Sequence, residues 1–144
     1  MKPATRAPWH LWVVAIAALL WNAVGALDYV MTQTRNAQYM AGFTPEQLAF
    51  FYGLPAWTVA AWAIGVWGAV LGSLLLLFRK SLAVWLLLAS LIGVALTTLQ
   101  NYVLSNGLEV MGGPGSVVFT AVIFLVAIGL YVYARAMRTR GVLV

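Results

Sequence analysis

Three carboxylates and one imidazole are all this chain offers for acid–base or metal chemistry: Asp28, Glu46, Glu109 and His10. They are scattered, and there is no cysteine, which excludes a disulfide framework, a thiolate nucleophile and a Cys-ligated metal site. No phosphate loop, no carboxylate pair at catalytic spacing and no nucleophile beside a base occurs, so neither an enzyme nor a cofactor is expected. A single histidine cannot hold a haem or a metal alone, and His10 is read as an interfacial side chain. The polar groups with the most to offer are Asp28 and the adjacent amides Gln100 and Asn101, bordered by Tyr29 and Tyr102. Three roles stay open for them. They could be hydrogen-bonding glue between helices, worth about 0.6 to 2 kcal/mol per contact. They could line a pocket for a small polar ligand, or Asp28 could exchange a proton. Arg35 follows Asp28 by seven residues and would pair with it if the helix continued that far.

Whatever positions these groups does so in lipid. Of 144 residues, 64% are hydrophobic and only 8% are charged, whereas an ordinary soluble chain is about a quarter charged. At a rise of about 1.5 Å per residue, crossing roughly 30 Å of hydrocarbon takes about 20 apolar residues. Four windows qualify, from about Trp9 to Met31, Pro55 to Phe78, Leu82 to Leu104 and Ser116 to Ala134. The expected fold is an all-α, integral membrane four-helix bundle forming a single domain over residues 1–144. Only Arg79, Lys80 and Ser81 separate the second and third windows, which makes those helices antiparallel neighbours. Gly53 with Pro55, and Gly112 and Gly113 with Pro114, introduce the second and fourth. The first window begins like a signal peptide and reaches the small residues Val24, Gly25 and Ala26. It runs on through Tyr29, Val30 and Met31, so a permanent anchor helix is expected.

Basic residues set the orientation, because cytoplasmic flanks retain Lys and Arg. Lys2, Arg6, Arg79, Lys80, Arg135, Arg138 and Arg140 fall on one side, and only Arg35 on the other with Glu46 and Glu109. Both termini are therefore expected in the cytoplasm, in a multi-pass protein of the bacterial inner membrane. The net charge of +5 is accounted for by this placement, and no nucleic-acid partner is expected. A lipid-headgroup or protein-docking role for the basic tail is the other reading.

A shift of 73 positions lays Trp12 on Trp85 and Asp28 through Gln33 on Asn101 through Asn106; separately, at a shift of 59, Gly53, Leu54 and Pro55 correspond to Gly112, Gly113 and Pro114. This predicts two parallel repeats, 9–80 and 82–140, related by a twofold axis along the membrane normal. Between the first two windows, Thr44, Pro45, Glu46 and Gln47 spell a capping box. A short interfacial helix carrying Leu48, Phe50, Phe51 and Tyr52 should follow, as an anchor or as a lid over an external pocket. Asn22, near mid-membrane, needs a partner on another helix, and Gly65, Gly68 and Gly72 with Ala61 form a close-packing face, inside the bundle or between protomers. On the third window Ser90, Gly93, Thr97, Gln100 and Asn101 make a small polar stripe. Trp9, Trp12, Trp57 and Trp85 suit the interfacial belts. Trp21, Trp62 and Trp67 lie deeper, facing lipid or core or stacking on a flat ligand.

At Trp21, Asn22, Asp28 to Gln33, Phe43 to Leu48 and Leu54 to Trp57, the chain resembles small bacterial four-span membrane proteins loosely labelled sugar transporters. The resemblance covers mainly the first two helices and the loop between them, and it implies a sugar or small-solute role without assigning catalytic residues. In length and span number the chain is also similar to small multidrug transporters. Those rely on a mid-membrane Glu in the first helix, where this chain has an Asp near the outer edge. The expected function is non-enzymatic binding or transport of a small polar solute, with Asp28, Tyr29, Gln100, Asn101 and Tyr102 as ligand contacts and a homodimer providing room for movement. The alternative is a structural or accessory subunit that docks a larger membrane complex.

Overall fold

The computed structural model describes residues 6–110 and 114–144, so Lys2, Gly112 and Gly113 invoked above lie outside the described residues. Helix α1 spans Trp9–Gln33, α2 Ala37–Met40, α3 Pro45–Tyr52, α4 Ala56–Leu77, α5 Leu82–Leu99, α6 Gly107–Val110 and α7 Pro114–Thr139. A π-helical turn, Gln100–Leu104, extends α5. Among the described residues there is no strand. Among the described residues four helices are long and apolar enough to cross a membrane: α1, α4, α5 with its π-turn, and α7. Local signals set several boundaries. Pro8 and Pro55 stand in extended geometry just before α1 and α4, where a missing N–H costs nothing. The capping box is present in full: the Thr44 hydroxyl accepts from the Gln47 amide at 3.2 Å, and the Gln47 side-chain oxygen accepts from the Thr44 amide at 3.0 Å.

The seam between α4 and α5 is the tightest in the molecule. A Cβ placed on Gly93 of α5 would stand 2.5 Å from the Ala61 carbonyl oxygen and 2.6 Å from the Gly65 nitrogen. Gly65, Gly68 and Gly72 of α4 meet Val94, Ser90 and Leu87 of α5 in turn. The glycine face thus serves packing inside the bundle. Ser90 donates its hydroxyl to the Gly65 carbonyl at 2.6 Å, a polar contact possible only because the backbones approach this closely. On the other flank of α4, Asn22 of α1 donates to the Ser73 hydroxyl at 2.9 Å and toward the Ala69 carbonyl at 3.4 Å.

Helix α7 packs on α5 and meets α1 through side chains, by a hydrogen bond between His10 and Tyr133 and by the Trp21 and Phe119 rings, 6.4 Å apart. His10, expected as an interfacial side chain, is thus a cross-helix tie. The apolar core lies toward the end of the bundle that carries residues 6–8 and 141–144, and joins Leu11, Leu76, Val84, Leu87, Val142 and Leu143. The last residues fold back to reach it. Gly141 turns with φ 79, the Val144 amide donates to the Arg79 carbonyl at 3.0 Å, and the Ser81 amide donates to the Val144 carbonyl at 3.0 Å. Arg79 itself, at φ 59, donates from Nε to the Val142 carbonyl at 3.1 Å.

One group in this framework is out of balance. Thr58 is 0% exposed, and its hydroxyl has no hydrogen-bond partner. Leaving a hydroxyl buried and unpaired costs about 1 to 3 kcal/mol. Thr58→Val, close in shape, is therefore expected to stabilise the protein by about 1 kcal/mol, read as a rise in thermal midpoint in detergent.

Candidate functional site

The polar groups gather at the end of the bundle formed by α2, α3 and α6, opposite the apolar core. Asp28, on the last turns of α1, accepts a hydrogen bond from the Tyr39 hydroxyl. This ties α2 back to α1, while the Asn36 side chain caps α2 by accepting from the Tyr39 amide at 3.0 Å. Donation to Asp28, then burial, then the negative charge of Asp28 push the Tyr39 hydroxyl up to about 12. Tyr39 therefore keeps its proton at any physiological pH.

The expected pairing of Asp28 with Arg35 does not form. Helix α1 ends at Gln33 and Arg35 adopts the left-handed conformation, φ 53, so a same-face spacing no longer holds when the chain reaches it. The Arg35 guanidinium instead lies over the Tyr52 ring of α3, 4.2 Å from its centroid. Left-handed backbone in a non-glycine residue costs about 1 to 2 kcal/mol, which this stacking and the turn hydrogen bonds Arg35 N to Thr32 O and Asn36 N to Met31 O help to offset.

The five ligand residues expected from the sequence divide into two groups. Tyr29 stands edge-on to Trp62 and Trp67 of α4, at 4.9 and 6.3 Å. It belongs with Asp28 to the α1 side. Gln100 donates to the Ser105 hydroxyl at 2.8 Å. Tyr102 shares its hydroxyl with those of Ser116 and Thr120 on α7, at 3.1 and 2.9 Å. The Asn101 side-chain oxygen is buried without a partner among the described residues. Among the described residues no hydrogen bond joins Asp28 to Gln100 or Asn101. The upper part of the α5 stripe is absorbed by packing: Ser90 and Gly93 face α4, and Thr97 returns its hydroxyl to its own helix at the Gly93 carbonyl, 2.8 Å away.

Between the end of α1, α3 and the start of α4 lies a cavity of about 100 Å³, lined by Thr32, Gln33, Arg35, Phe51, Tyr52 and Val59. Thr32 is only 4% exposed, and its hydroxyl makes no hydrogen bond to any described residue. A hydroxyl free of internal partners in the lining of a cavity can both donate to and accept from a guest. Sequence reasoning passed over Thr32, because nothing local separates it from Thr97 and Thr98, which bond their own helix carbonyls. A second, wider trough of about 370 Å³ runs along Glu46, Ala49, Phe50, Asn106 and Val110 between α3 and α6. No group of three His, Asp or Glu able to hold a metal occurs among the described residues.

The four apolar helices mark a multi-pass helical membrane protein. No protein-family model, curated protein or solved structure matches the chain.

Proposed function

We propose that this is a non-enzymatic protein of the bacterial inner membrane that binds or carries a small polar solute, admitted from the extracytoplasmic side. The observation that carries this reading is the cavity under α3, with the Thr32 side chain, which bonds no described residue, in its lining and Arg35 beside it. The orientation is supported by charge: Arg6, Arg79, Lys80, Arg135, Arg138 and Arg140 share one end, and Glu46 and Glu109 the other. Asp28, Tyr29, Gln100, Asn101 and Tyr102 flank the same end in this proposal, with the unpartnered Asn101 oxygen as a further acceptor for solute or water. The two hairpins, 9–80 and 82–140, act as parallel repeats, and the likeness to four-span proteins labelled sugar transporters agrees with a solute role.

A second reading has its own support. Helix α7 leaves Val118, Val122, Leu125 and Val132 exposed at heptad spacing, a ridge suited to docking in a larger assembly. Native mass spectrometry from lipid nanodiscs separates the two. The solute reading expects a retained low-mass species that Thr32→Val loses. An unliganded monomer mass, together with a stoichiometric second subunit displaced by Leu125→Arg, would put the accessory role ahead.

A further inference from the structure

We propose that the cavity under α3 is an oxyanion site, which takes a carboxylate or phosphate group between Arg35 and Thr32. The inference rests on the solute-binding reading above and names the class of ligand. Stacking on Tyr52 occupies a face of the Arg35 guanidinium, while its N–H groups point outward in the plane and make no hydrogen bond to a described residue. A planar fork held by an aromatic ring is pre-organised for bidentate recognition of an oxyanion. Thr32 adds a hydroxyl donor from the cavity lining. Arg35 is also the one basic residue at this end of the bundle. The nearest acid along α1, Asp28, does not line the cavity and is engaged by Tyr39.

A cavity of about 100 Å³ admits a phosphate or a carboxylate and its carbon. Phe51, Tyr52 and Val59 complete the lining beside the polar Thr32, Gln33 and Arg35. Two sources could supply the group, a free anion or the headgroup of an anionic lipid at the membrane surface, and the recognition chemistry is the same for both.

The test uses the full chain in phosphatidylcholine nanodiscs, with inorganic phosphate, acetate and glucose as titrants in isothermal calorimetry. A parallel set of nanodiscs contains phosphatidylglycerol, with lipid retention read by native mass spectrometry. Arg35→Asn removes the guanidinium while keeping a residue that tolerates the left-handed backbone, and Arg35→Lys keeps the charge without the planar fork. Thr32→Val removes the hydroxyl and Thr32→Ser retains it, and circular dichroism with gel filtration confirms that each variant folds. The expected result is saturable binding of phosphate or acetate, weakened about 10-fold or more by Arg35→Asn and by Thr32→Val, with Arg35→Lys intermediate and Thr32→Ser near wild type. Arg35-dependent retention of phosphatidylglycerol without binding of the free anions also supports the site and assigns the oxyanion to lipid. Binding of glucose alone, sensitive to Thr32→Val and indifferent to Arg35, overturns the oxyanion class while the solute reading stands. If no probe binds the wild-type protein, both fall.

Discussion

Gly93→Val should prevent the α4–α5 hairpin from closing. The added side chain would start 2.5 Å from the Ala61 carbonyl oxygen and 2.6 Å from the Gly65 nitrogen. Both obstacles are backbone, so no rotamer change relieves them and the helices must separate. Separation breaks the Ser90 to Gly65 hydrogen bond and lifts Gly65, Gly68 and Gly72 off their partners. Overpacking of a close-fitted contact costs about 1 to 3 kcal/mol and sometimes more. With the hydrogen bond lost as well, about 3 kcal/mol or more is expected, measured by unfolding in rising mole fractions of SDS. Gly129→Val is the control, because a Cβ there meets nothing within 4 Å and the change should be nearly neutral. A wild-type midpoint for Gly93→Val would show that the two helices are not in this register.

The second large effect lies at the other end of the bundle. Val142 is 0% and Leu143 3% exposed, and both sit in the core with Leu11, Leu76 and Val84. Truncating a buried Leu to Ala costs about 2 to 5 kcal/mol. The double variant Val142→Ala with Leu143→Ala is therefore expected to lose about 3 to 6 kcal/mol. Hydrogen exchange should also rise at residues 79–81, whose amides and carbonyls bond to the tail. Unchanged exchange at those residues would mean that the tail does not hold the turn.

The four spans were legible because they depend on a quantity that sums along the chain: enough apolar residues in a row leave no alternative to a helix in lipid. Thr44 was legible for a different reason, since a capping box involves residues three apart and is complete before any tertiary contact forms. Asn22 and the glycines at 65, 68 and 72 could be named as packing residues, but not which helix would meet them. Where contacts depended on the path of the backbone, spacing misled. Asp28 and Arg35 are seven apart, as on one helix face, yet the helix stops at Gln33 and the two charges turn to different tyrosines. The π-turn at Gln100–Leu104 changes which way Asn101 and Tyr102 point, and an α-helical wheel cannot anticipate that. Thr32 and the tail at Val142 were invisible, because a void and a fold-back are properties of the assembled molecule.

The fold-back of residues 141–144 gives the protein a clasp that closes in a fixed order during synthesis. The α4–α5 hairpin contains its whole glycine seam and its four-residue turn, so it can pair as soon as both helices have entered the bilayer. The clasp cannot engage Arg79 and Ser81 until α7 has been made and inserted, when about 60 further residues have left the ribosome, some seconds later at about 5 to 20 residues per second. Through that interval the groove beside Leu76 and Val84 stands open to lipid or water. Arrival of Val142 and Leu143 covers it.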